Sequence, residues 1–122
     1  MFDISLKSET ITFVRPQVLR LRGTQNHIYH IKPEDIFYIR ADSLCCYIMY
    51  AGALCHVRHP MIQLEELMPD YFLRLNRSLL LNTRQVLTVH DDCVEFSNYT
   101  KLVISKWKAR WLRERLSGEN TR

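Results

Sequence analysis

The 122-residue sequence predicts a mainly β fold: small antiparallel sheets of about 8–10 short strands, a short middle helix and a C-terminal basic helix. Three observations carry this expectation. Short apolar runs with period-two alternation recur from "QVLRLRG" to "KLVIS", each bounded by turn chemistry. No crossover helices separate these runs, which favours antiparallel pairing. Only "MIQLEELMPDY" and "KWKARWLRERL" change to a helical period. A chain of this length holds one domain with a real core and is too short for two.

The elements follow in order. Residues 1–16 alternate weakly and are expected to be a lead-in or an extra strand. "VLRLR" and "HIYHI", with turn chemistry from Gly23 to Asn26, resemble a hairpin. "KPED" is a tight turn leading into "IFYIRA". "CCYIMY" and "ALCHVRH" flank Ala51-Gly52. A two-residue loop there sets Ile48 opposite Cys55 and Cys46 opposite Val57, so no two cysteines face each other across the hairpin. Pro60 ends that strand, and Ile62, Leu64, Glu65, Leu67 and Met68 fit a short amphipathic helix stopped by Pro69. "FLRL", "LLLN", "QVLTVH", "CVEFSN" and "KLVIS" are further strands, with turns at Asp91-Asp92 and Asn98 to Thr100. In the terminal helix Trp107, Trp111, Leu112 and Leu116 share a stripe, and Ser105 is placed as N-cap. The two tryptophans are expected to anchor the helix to the body. The domain is expected over residues 17–116 and a frayed tail over 117–122.

Composition bounds the function. An apolar content of 47% with 25% charged residues is ordinary for a soluble globular protein. No run approaches the ~18 to 20 apolar residues of a membrane span, and the N-terminus lacks the pattern of a secretory signal. Cys45, Cys46, Cys55 and Cys93 show neither metal-ligand spacing nor an extracellular framework, so reduced thiols in a cytoplasm are expected. Residues 101–122 hold seven basic and two acidic residues, net +5, against ten basic and eleven acidic before them. A cationic element on a near-neutral body suits a polyanionic partner, or a solvated helix with no partner.

Catalysis finds no motif: there is no Gly-rich phosphate loop, carboxylate pair or nucleophile signature, and no enzyme is expected. Cys55 and His59 in "CHVRH" share a strand face, but two ligands make no metal site and ordinary strand residues are favoured. Cys45 and Cys46 point to opposite faces and are favoured as structural. Lys106 and Lys108 in a first helical turn have the wrong charge sign for helix stability and the right one for binding phosphate. In "YFLRLNRSLLLN", Arg74, Asn76, Arg77 and Ser78 interrupt an apolar run. Arg74 has an ordinary alternative, an ion pair with Glu65, Glu66 or Asp70. A turn at Asn76-Arg77 would instead present an Arg, an Asn and a hydroxyl to phosphates and base edges.

These stretches together resemble the LytTR-type DNA-binding domain, the output module of the LytR/AlgR group of bacterial transcription regulators. "EDIFYIRAD", "LEELMPDYFLRLNRSLLLN" and "LVISKWKARWL" stand in that family's order, and the middle block is the most specific. The resemblance spans about Gln17 to Leu116. It implies a largely antiparallel β fold whose loops, rather than a recognition helix, enter DNA grooves. It further implies double-stranded DNA as partner at direct-repeat sites, a homodimer on DNA, and a receiver domain or regulatory protein as further partner in a two-component system. No cofactor is implied. Carried over by position, the DNA-facing residues are Arg74, Asn76, Arg77 and Ser78, then Ser105, Lys106 and Trp107 with Lys108, and the loop Ser43, Leu44 and Cys45. Asn76 stands where His is usual, Trp107 where a basic residue is common, and Arg40 where an acid is usual. Ser43-Leu44-Cys45 is less polar than the family's loop. The chain has no room for a receiver, so a stand-alone regulator and an excised output domain both fit. A regulatory protein-interaction module that kept the fold without DNA binding is the alternative.

Overall fold

The centre of the molecule is a five-stranded sheet of β3 (Ile36–Asp42), β4 (Cys45–Tyr50), β5 (Ala53–Val57), β6 (Phe72–Asn76) and β7 (Leu79–Asn82), in the order β5-β4-β3-β7-β6. The structure, a computed structural model, describes residues 18–120; the lead-in expected at 1–16 lies outside them, as do residues 121 and 122. Before the sheet, β1 (Leu19–Arg22) and β2 (Ile28–Ile31) form a hairpin. Backbone bonds from Arg58 N to Arg22 O (2.7 Å) and from Thr24 N to His56 O (3.1 Å) fasten that hairpin to β5. After the sheet, β8 (Val86–Val89), β9 (Cys93–Phe96) and β10 (Lys101–Val103) make a second sheet in the order β10-β9-β8. Every strand pair is antiparallel among the described residues. The mainly β architecture therefore stands, with a middle helix α1 (Met61–Leu67) and a C-terminal helix α2 (Lys106–Asn120). Helix α2 runs past Leu116, through residues expected to fray.

The pleat of the central sheet divides its side chains between two cores. Ile39 on β3, Cys46 and Ile48 on β4 and Leu80 on β7 face the first core, shared with β1, β2 and the Met61 and Leu64 of α1. Tyr38, Leu79 and Leu81 face the second, shared with Val94 and Phe96 of β9, Leu102 of β10 and Leu112 of α2. A register shift between Ile36 and Tyr38 breaks the alternation, so Phe37 and Tyr38 both reach the second core. The β4–β5 register has Ile48 opposite Cys55 and Cys46 opposite Val57, as the loop length predicts. Its loop residues Ala51 and Gly52 both have positive φ, 51° and 83°, the geometry that suits strand twist.

Two expectations change. On α1, Ile62 and Leu67 face solvent while Met61, Leu64 and Met68 are buried, because the short helix presents only one narrow stripe to the sheet. On α2, Trp107 is 70% exposed and Trp111 36%, so neither is a buried anchor. Ala109, Leu112 and the partly buried Leu116 attach the helix instead. Trp107 lies about 200° around the helix from Ala109, which leaves it on the opposite face.

Candidate nucleic-acid interface

Two turns of the central sheet lie at one end of it. Strand β3 leaves through the loop Ser43-Leu44, which closes on the pair Asp42 and Cys45. Strand β6 returns through Arg77-Ser78 into β7, whose first residue pairs with Arg40 of β3. The amide of Ala41 donates to the Ser78 carbonyl at 2.9 Å, holding one turn beside the other.

The β6–β7 turn is braced from within. Asn76 Oδ1 accepts from the Ser78 amide at 2.9 Å and from its hydroxyl at 3.1 Å, a side-chain mimic of a backbone turn. That occupies the carbonyl oxygen and leaves the Asn76 amide group as a donor. Strand alternation turns Phe72 and Arg74 toward α1, and the Arg74 guanidinium meets the Glu65 carboxylate there. The same guanidinium donates to the carbonyls of Asn76 (2.8 Å) and Arg77 (2.7 Å). The ordinary reading of Arg74 is thus the observed one, and its charge is engaged inside the protein. Arg77 differs: its side chain is exposed, with no hydrogen bond or ion pair among the described residues.

The β3–β4 turn has no such brace. Ser43 holds φ at 56° and Leu44, at the tip, is 80% exposed. Behind it the strand separates its cysteines: Cys46 is fully buried and Cys45 half-buried. Burial, with the neighbouring Cys45 adding to it, pushes the Cys46 thiol up to about 11 and keeps it protonated and inert.

The third element is the start of α2. Ser105 caps it as expected, its hydroxyl accepting from the Lys108 amide at 3.1 Å. The amides of Lys106 and Trp107 have no intrahelical acceptor, because they belong to the first turn. Lys108 reaches over the Trp111 ring at 5.5 Å.

An open groove of about 630 Å³ joins two of these elements. Asn76 and Ser78 line one wall, Ser105 and Lys108 the other. Lys106 and Trp107 lie outside it, in a shallower depression with Asp91, Arg110 and Arg113. Ser43, Leu44 and Cys45 do not line it either; they extend the edge beyond β3. Two residues missed as candidates do line it, Arg40 and Lys101. Lys101 had no sequence signal beyond an exposed position in an alternating strand, and Arg40 stood out only as a cation where an acid is usual. Asn82, the last residue of β7, is fully buried, and its side-chain amide donates to the Ile36 carbonyl at 2.9 Å and the Glu34 carbonyl at 3.3 Å.

No metal centre arises among the described residues. His59 is held at a structural corner, where Nε2 accepts from the Arg22 amide at 3.0 Å and Nδ1 faces Gln63 Oε1 at 2.7 Å. Its suggested partner Cys55 is buried in the first core. No helix of the described residues is long and apolar enough to cross a membrane.

An antiparallel β domain that offers a cationic, donor-rich edge built from turns falls in the class of binding modules. Its family is specific: the chain belongs to the LytTR DNA-binding domain family, whose model matches residues 26–117. That is a DNA-binding family and a non-enzymatic one. The fold is similar to a solved LytTr DNA-binding domain from a Bacillus cereus protein named as a methyl-accepting/DNA response regulator. That likeness has a TM-score of 0.64 at 20% identity and covers 81% of this chain and 95% of the other. No curated protein matches the chain by sequence.

Proposed function

We propose that the chain is a sequence-specific DNA-binding transcription regulator of LytTR type that inserts its turns into the grooves of duplex DNA. The observation that carries this is the β6–β7 turn: Arg77 is exposed and its side chain has no partner among the described residues, on a backbone fixed by Arg74 and by the Asn76–Ser78 bonds. A guanidinium carried on a fixed backbone and, among the described residues, left without an acid suits the paired acceptors of a guanine edge. The Asn76 amide adds donors beside it. Ser105, Lys106 and Lys108 at the start of α2 would hold backbone phosphates, where free amides and the helix dipole favour anions. Leu44 at the tip of the second turn offers an apolar contact of the kind that thymine methyls accept. Direct-repeat sites, a homodimer on DNA and a receiver domain acting upstream complete the proposal on the family's pattern.

The test is selection from a random duplex pool, followed by titration of the enriched duplex against salt. The expected result is an enriched motif that binds ~10³-fold or more tighter than random DNA. Enrichment of no motif, at low as well as moderate salt, contradicts it. A pull-down that recovers a protein partner from a chain that shifts no DNA would favour the regulatory protein-interaction module.

A further inference from the structure

We propose that Arg40 and Lys101 are two further contacts to the DNA backbone, and that the groove between them seats a run of phosphodiesters linking the β6–β7 turn to α2. This rests on the DNA-binding reading and adds residues and a path to it.

The groove has an unusual balance of charge. Its lining carries three cations, Arg40, Lys101 and Lys108, and no carboxylate. Arg40 stands exposed on the face of β3 that continues outward from the second core, since it follows the buried Tyr38 by one pleat. The only partner of its guanidinium among the described residues is the Tyr38 ring, at 5.9 Å. Asp42, one pleat further along, is taken by His56 Nε2 at 3.0 Å. Lys101 is exposed on β10, the edge strand of the second sheet. Glu95 stands directly across the ladder from it but is engaged by His90 at 3.0 Å. Neither cation forms a salt bridge among the described residues, and a cleft lined by one sign of charge concentrates the opposite ion.

The rest of the lining fits a nucleic-acid strand better than a single anion. Ser78 and Ser105 add hydroxyls on opposite walls, so the donors are spread along the cleft rather than focused on a point. Val103, which is exposed, adds apolar surface suited to deoxyribose. Contacts of this kind fix the register of the turns on the duplex and carry no sequence information themselves. They would set how deeply Arg77 reaches.

The measurement is the salt dependence of binding to fluorescent random-sequence duplex DNA and to the enriched duplex. It compares the wild-type chain with Arg40→Gln, Lys101→Gln and the double variant. Each single variant is expected to flatten the slope of log K against log salt by about 0.9, and the double by about 1.8. Base preference should be unchanged, and Arg40→Lys should keep the wild-type slope. Both positions are exposed, and unchanged thermal melts will show that the variants fold. Unchanged slopes in folded, binding-competent variants overturn this inference alone. A relaxed base preference in Arg40→Gln also overturns it, by making Arg40 a base contact. A wild-type chain that binds no duplex at any salt overturns both this and the DNA-binding reading.

Discussion

The two turns at the end of the central sheet are built in opposite ways. The β6–β7 turn is polar and fixed, with Arg74 bonded to two of its carbonyls and Asn76 to Ser78. The β3–β4 turn is apolar at its tip and held by its strands alone, with Leu44 80% exposed. A side chain that must meet a base edge within hydrogen-bond geometry gains from a fixed backbone, because little ordering remains to be done on binding. An apolar tip needs no such angular accuracy. On the proposed function, sequence reading would fall to the β6–β7 turn and adaptable contact to the β3–β4 turn.

Four substitutions test that division. The largest effect is expected at the far end of β7, the strand that follows the braced turn. Asn82→Ala removes the side-chain donor to the buried Ile36 carbonyl and the acceptor for the Arg84 amide, while the Glu34 carbonyl keeps its bond from Gln85. A loss of about 2–3 kcal/mol in stability by urea denaturation is expected. Arg77→Ala should leave stability unchanged and remove about 1–3 kcal/mol of discrimination at one base pair, read by competition between the enriched duplex and its single-base variants. Arg74→Ala removes the brace, including its bond to the Arg77 carbonyl, and leaves the Arg77 side chain in place. It should weaken specific binding by about 1–2 kcal/mol, with faster amide exchange at Arg77 and Ser78. Its effect on stability should be smaller, because the pair with Glu65 is partly exposed. Leu44→Ala should change affinity by less than about 1 kcal/mol and leave base preference intact.

Much of the fold was legible because local chemistry decided it. Ala51-Gly52 determined the β4–β5 register, and Ser105 marked the start of α2. The direction of Arg74 was not local: it depends on α1 bringing Glu65 over that face of β6. The face buried by α2 was legible in part: Leu112 and Leu116 lie on it, while Ala109, fully buried, weighs little in a hydrophobic stripe and was passed over. Trp107, larger and more apolar, sits on the exposed side. The pairing of Arg40 with Lys101 was not legible, because their common groove exists only once β10 is packed beside β3 and β7. Of the four polar residues in "RLNRS", the structure sorts three into building the turn and leaves Arg77 free to act outward.

The most direct measurement is therefore the discrimination ratio of Arg77→Ala beside that of Leu44→Ala, each against the enriched duplex and its full set of single-base variants. The account predicts that Arg77→Ala loses discrimination at one base pair by roughly 10-fold or more, while Leu44→Ala keeps the wild-type pattern. An Arg77→Ala variant that folds and retains full discrimination contradicts the assignment of reading to the braced turn.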